Sequence, residues 1–270
     1  MLAAFVGCAG VGKNTIIQKL LTMCPDKYEV FPTLTTRAMR PGESEGNPYH
    51  FVTREEFERL ISEDEIYEWQ IIHNNDYYGG SRGVLRGHLE SGKILIKDID
   101  VLGARTYKEK LSDITKILSV FLYVENLDSL LERMRGRGDK EESIRQRAER
   151  FPLEMKLSSD SEYMVSNESV TDTADAVNCL LINEETLGGI YRPSLAEGMP
   201  SEDAICAVTS LEPVELVFNG IELLIVEGAA RYVRAMREGK FIQKKIKRLT
   251  DTSLLPHEIP LDAWRDLLKP

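Results

Sequence analysis

The chain has 270 residues, and its 34 Lys+Arg against 44 Asp+Glu give a formal charge of −10 at pH 7. A hydrophobic fraction of 42% beside a charged fraction of 29% can fill a core, which excludes global disorder. The acidic balance argues against a protein that coats nucleic-acid phosphates, and no apolar run reaches the roughly 18–20 residues of a membrane helix. Cys8, Cys24, Cys179 and Cys206 are too scattered for metal or dithiol spacing and read as reduced thiols of a cytoplasmic protein. The opening MLAAFVG lacks a basic n-region, which argues against a signal peptide, and the chain is expected to begin at its first strand.

Leu2 to Val6 is a short apolar run that ends at Gly7, and a helical pattern follows from Lys13 to Leu21: strand, glycine loop, helix. Tyr28 to Val52, punctuated by prolines and glycines, reads as a small strand-and-loop subdomain. Thr53 to Glu56 has the form of a capping box opening a helix, Ile66 to Ile72 a strand, and Asn74-Asn75-Asp76 a turn. Lys93 to Ile99 and Ile114 to Val124 are buried-strand candidates, each followed by a helical pattern, which implies a parallel sheet covered on both faces. Asn126 to Met134 and Glu141 to Leu157 read as helices interrupted by Gly136 and Gly138; Glu162 to Val165 reads as a last strand and Thr171 to Glu185 as a closing helix.

A boundary is expected near Gly188-Gly189, dividing the chain into residues 1–187 and a small α+β domain, 188–270. In the latter, Val214 to Phe218 and Glu222 to Val226 flank Asn219-Gly220, a hairpin signal. Arg231 to Arg248 is strongly basic, with Glu238 its only acid, and reads as a basic helix for an acidic or anionic partner.

Gly7-Cys8-Ala9-Gly10-Val11-Gly12-Lys13 matches G-x-x-x-x-G-K between a strand and a helix. Glycines let backbone N–H groups converge on phosphate oxygens, the helix points its positive end at them, and a lysine neutralises charge. The usual hydroxyl after the lysine is replaced by Asn14, with Thr15 next; an amide oxygen can still bind a magnesium water. Further on, Arg37, Arg40, Glu43 and Tyr49 lie in a loop shaped by Pro41, Gly42, Gly46 and Pro48. Two guanidinium forks and a phenol can hold a phosphate dianion, although paired surface arginines would read the same way.

These two segments together closely resemble guanylate kinase. The likeness continues in order through Glu68-Trp69, Tyr77-Tyr78-Gly79, Asp98 to Gly103, Arg133 to Gly138, Glu141 to Arg147 and Tyr163 to Asn167, and covers residues 1 to about 185. The resemblance implies an α/β P-loop nucleoside monophosphate kinase fold with a parallel sheet core, a small β-rich acceptor-binding region and a helical lid. It implies transfer of the ATP γ-phosphoryl group to GMP or dGMP with Mg²⁺. By matching position, Gly7 to Thr15 and Asn167 fall on the ATP side, and Arg37, Arg40, Tyr49 and Tyr78 on the acceptor phosphate. Glu68 falls on the guanine base, with Thr33, Glu43 and Gly80 nearby. Asp98 and Asp100 fit magnesium water, Lys13 or substrate, with Asn14 and Asp98 the metal-side pair, and Arg137 and Arg147 resemble lid arginines. Lys13, Arg40, Arg137 and Arg147 are the catalytic set.

The chain departs from the pattern at Gly80, where the family usually has Ser or Thr, although Ser81 is adjacent. Thr33 replaces a common serine, the turn before Tyr77 is one residue longer, and the Arg137 to Arg147 spacing one shorter. The competing readings are an interaction module without turnover and a kinase for a modified or non-guanine nucleotide. The C-terminal region, through Gly228, Arg231 and Ala235, faintly resembles the ParB/sulfiredoxin-like fold; a hairpin plus basic helix is the plainer alternative.

Overall fold

The computed structural model describes residues 1–8, 10–39, 44–46, 48–72, 76–136, 138–188, 192–193, 200–210, 212–218, 223–247 and 268–269. In chain order, β1 (Leu2–Gly7) leads to α1 (Lys13–Met23), followed by β2 (Tyr28–Val30), β3 (Thr33–Thr35), β4 (Ser44–Glu45) and β5 (Pro48–Phe51). Next come α2 (Arg54–Ser62), β6 (Ile66–Ile72), β7 (Asp76–Ser81), α3 (Arg82–Leu89), β8 (Ile94–Asp98) and α4 (Val101–Leu111). β9 (Ile117–Tyr123), α5 (Leu127–Gly136), α6 (Glu141–Leu157), β10 (Tyr163–Ser166) and α7 (Val170–Thr186) follow. The remaining elements are β11 (Arg192–Pro193), α8 (Glu202–Cys206), β12 (Val214–Phe218), β13 (Leu223–Glu227), α9 (Ala229–Arg237) and β14 (Lys244–Lys247). No helix among the described residues is long and apolar enough to cross a membrane.

Two compact units divide the chain: Met1–Phe5 with Leu20–Leu118, and Val6–Lys19 with Ser119–Pro270. In the first, β8 pairs in parallel with both β1 and β2, in registers such as Leu2↔Leu95 and Tyr28↔Ile94. Leu2, Ala3, Ala4 and Phe5 are wholly buried, as the continuous apolar run of a strand covered on both faces requires. A five-stranded sheet of order β4-β5-β3-β7-β6 completes this unit. Thr53 accepts from Glu56 N to start α2, which lays Phe57 on Tyr77 with ring centroids 4.9 Å apart; Leu34 and Ile66 complete that core. The sequence groups Tyr28 to Val52 as one subdomain, but β2 belongs to the parallel sheet, because Tyr28 is buried there against β8.

In the second unit the strand order runs β9-β10-β14-β12-β13-β11. β10 pairs in parallel with β9 on one side and β14 on the other, and β14 pairs in parallel with β12. Val120, Phe121 and Leu122 of β9 and Tyr163 of β10 are wholly buried, and α7, begun by Ser169, packs on β10. The β12–β13 pair is antiparallel as expected, with Phe218 opposite Leu223; the turn residues Asn219 and Gly220 lie outside the described residues. So do Asn74, Asn75 and Gly189.

The basic segment is not one helix. α9 stops at Arg237, Gly239 follows at φ 60°, and the lysines beyond it form β14, whose Ile246 is buried. Four cations on and just after α9 are matched by acids: Arg231 to Glu227 at 3.4 Å, Arg234 to Glu238 at 2.9 Å, Arg237 to Glu202 and Lys240 to Glu238 both at 2.7 Å. Two of these acids lie outside the basic run, so counting charge within it overstated its excess.

Candidate active site

In the second unit, the loop from β1 to α1 is built on three glycines with positive φ: Gly7 at 138°, Gly10 at 87° and Gly12 at 97°. A β-carbon on Gly7 would lie 2.2 Å from Leu122 O, and one on Gly12 2.7 Å from Asn167 Nδ2, so strand and loop leave no room for a side chain. Lys13 Nζ donates to Gly7 O at 2.8 Å, which lays the ammonium across the loop. No acidic residue occupies the first turn of α1, and Asn14 and Thr15 are exposed there. Cys8 is buried: burial, then Glu154, pushes its thiol up to about 12, so it is an inert neutral group inside the loop. Ala9 lies outside the described residues.

Asn167, at the end of β10, ties the loop to the sheet. Its backbone N–H donates to Tyr123 O at 2.8 Å, its Nδ2 donates to Val11 O at 2.6 Å, and its carbonyl accepts from Arg133 Nη1 at 2.8 Å. Its Oδ1 is buried with no hydrogen-bond partner among the described residues. Of the lid arginines, Arg147 on α6 donates to Asp139 at 2.9 Å, and Arg137 lies outside the described residues.

In the first unit, three of the predicted phosphate ligands come together. Arg37 Nε donates to Tyr78 Oη at 3.1 Å, its guanidinium carbon lies 5.5 Å from the centre of the Tyr49 ring, and the two tyrosine rings meet edge to face at 5.6 Å. Thr35 Oγ1 fixes the approach, donating to Tyr77 O at 3.0 Å and accepting from Arg37 N at 3.2 Å. Arg40 and Glu43 lie outside the described residues.

The predicted base reader Glu68 stands on β6 at an irregular register: Ile66 faces Ser81 but Glu68 faces Gly80, so Tyr67 is an extra residue. Burial raises the Glu68 carboxyl above its ordinary value, while hydrogen bonding to Tyr107 and the charge of Lys97 pull it back. A β-carbon on Gly80 would lie 2.0 Å from Tyr67 Oη, so the tyrosine occupies that volume. Among the described residues, Tyr67 Oη is buried without a hydrogen bond of good geometry, although Tyr107 lies beside it with the rings edge to face at 5.1 Å. Ser81, the neighbour that offered a hydroxyl, accepts from Val84 N at 3.3 Å as the N-cap of α3.

Thr33 accepts from Lys97 Nζ, which also donates to Phe31 O at 3.3 Å. Burial lowers the Lys97 ammonium to about 8, against the opposing charges of Glu68 and Asp98. Asp98 is exposed at the end of β8, and Asp100 commits one carboxylate oxygen to Gly103 N at 2.7 Å, capping α4. Lys97, Tyr107 and Tyr67 escaped the sequence reading. The only available signal was a lone cation closing the apolar run Ile94-Leu95-Ile96.

A family model described as guanylate kinase matches residues 2–184. The guanylate kinase of Streptococcus thermophilus is 36% identical over 202 residues, covering 73% of this chain and 95% of that protein. That of Campylobacter jejuni is 35% identical over 177 residues, covering 65% of this chain and 85% of that protein. Among solved structures, the guanylate kinase from Anaplasma phagocytophilum is 27% identical and covers 69% of this chain and 86% of that chain, with a TM-score of 0.48.

Proposed function

The chain belongs to the guanylate kinase family, and from that premise we propose that it transfers the γ-phosphoryl group of ATP to GMP or dGMP, giving ADP and the diphosphate. The observation that carries the kinase reading is the loop in which three glycines admit no side chain and Lys13 lies across the backbone. An interaction module has no use for that construction, and the curated relatives are kinases by name.

The acceptor phosphate is received by Arg37 with Tyr49 and Tyr78, joined by Arg40. Glu68 accepts from guanine N1–H and N2–H; adenine presents an N1 lone pair there and is repelled. Lys13 exchanges Gly7 O for a donor phosphate oxygen, and Arg147 leaves Asp139 to join Arg137 on the transferring group. In a loose transition state these cations stabilise charge on the equatorial oxygens, and no general base is required. Bound magnesium would neutralise phosphate charge, and Asn14 and Asp98 would hold it through water. Such a donor set suits a cation that keeps most of its ligands as water and phosphate, there being no cluster of three acidic, His or Cys side chains among the described residues.

We also propose that residues 1–187 carry catalysis and 188–270 are an appended α+β segment, which the family match ending at residue 184 supports. Cytoplasmic residence is supported by the lack of any disulfide among the four cysteines. An anionic partner for the α9 arginines would have to displace Glu202, Glu227 and Glu238.

A coupled ADP-release assay over a panel of monophosphates tests the function. GMP and dGMP should turn over about 100-fold or more faster than AMP in kcat/KM, and Lys13→Met should abolish turnover without lowering the melting temperature. Silence with every acceptor overturns the kinase reading, and preference for a non-guanine acceptor overturns the substrate.

A further inference from the structure

Guanine presents three groups in series along one edge: the N2 amine, N1–H and the O6 carbonyl. A carboxylate satisfies the first two and leaves O6 needing a donor, since a buried carbonyl without one is costly. The strands around Glu68 offer few. Gly80 has no side chain and Tyr67 fills its place, Tyr67 Oη is sealed from solvent, Ser81 Oγ caps α3, and the Thr33 hydroxyl is engaged as acceptor of the Lys97 ammonium. Lys97 differs from all of these. It is only partly buried, it lies in the field of the Glu68 carboxylate, and two of its three N–H groups are spent on Phe31 O and Thr33 Oγ1.

We propose that Lys97 reads the guanine O6 carbonyl, its third N–H completing the edge that Glu68 begins, so that a carboxylate and an ammonium together specify the base. The proposal rests on the guanine-nucleotide reading above and names a residue that reading did not contain. Thr33 and Phe31 act as its anchors: they hold the ammonium on the β8 side of the base, and the Phe31 ring supports it with its centroid 5.6 Å from Nζ. Lysine donating to O6 or N7 of guanine is a standard pairing in base recognition. Against adenine the same ammonium would meet the N6 amine, donor against donor, which adds to the rejection at Glu68.

The test compares GMP with 6-thio-GMP, which keeps N1–H and the N2 amine for Glu68 but replaces O6 with a poor acceptor. The wild-type chain should prefer GMP by about 10- to 100-fold in kcat/KM. Lys97→Met should lose most of that factor on GMP and little on 6-thio-GMP, bringing the ratio within about threefold, with KM for ATP unchanged. Lys97→Arg, which keeps the donor, should retain part of the preference. A Lys97→Met enzyme that keeps the wild-type ratio, or that loses both substrates equally, overturns the proposal. A wild-type ratio near one does so without any variant. Absence of GMP turnover by the wild-type chain would instead sink the guanylate kinase reading itself.

Discussion

Tyr67 and Gly80 form a coupled pair, because the phenol stands where any side chain at position 80 would have to go. Gly80→Ser should therefore cost about 1–3 kcal/mol in chemical denaturation, as overpacking of a close-packed site does. The double variant with Tyr67→Leu should recover most of that loss; additive costs would show that the two residues do not compete for one volume. Glu68 makes a pH prediction of definite sign. Its folded pKa is raised, so the native state takes up this proton more readily than the unfolded chain, and the ionised carboxylate costs stability at neutral pH. That cost is relieved as pH falls through the raised value, so Glu68→Gln should stabilise the protein at pH 7 and lose this advantage toward pH 4–5. Base reading needs the carboxylate, so kcat/KM for GMP should fall over the same acidic window in the wild type. Glu68→Gln should be poor throughout and lack that limb; an unchanged pH profile would remove Glu68 from the site.

Elements were legible where one face or both were buried, since apolar periodicity then records the packing directly. β1, β8 and β9, together with α2, which begins one residue after the Thr53 cap, follow the sequence reading closely. Register and partner choice were not legible. The extra residue at Tyr67 leaves no mark in an alternating pattern, the destination of β2 depends on β8 far along the chain, and Lys244 to Lys247 look helical until Gly239 breaks the segment. Glycine spacing and a local arginine pair are marks that a sequence can carry, whereas the bonds of Lys97 to Phe31 and Thr33 exist only when β3 is brought to β8. Gln243 illustrates the same limit. Its buried Nε2 donates to Ser158 O at 2.8 Å and Ser161 O at 3.0 Å, latching β14 beside β10. Gln243→Ala should cost about 1–3 kcal/mol by taking from Ser161 O its donor, Ser158 O keeping the Ser161 N–H at 3.0 Å, and amide exchange should speed up first in β14. Uniform loss of protection would deny the latch.

For the whole molecule, the C-terminal segment adds its strands to the sheet of the second unit rather than standing apart from it, as the parallel pairing of β14 with both β10 and β12 shows. A chain ended after Leu187 should therefore expose the β10 edge at Tyr163, Met164 and Val165, residues that are buried in the full chain. Lower melting temperature and self-association in sedimentation are the expected outcomes; a monomer with the full chain's stability would show that β14 contributes nothing to the sheet. The order of synthesis gives this pairing a temporal consequence. β10 leaves the ribosome about 80 residues before β14, an interval of roughly 4–16 s at ordinary elongation rates. During it each nascent polypeptide carries an open seam that another copy on the same message could zip into, and only the arrival of its own tail closes it.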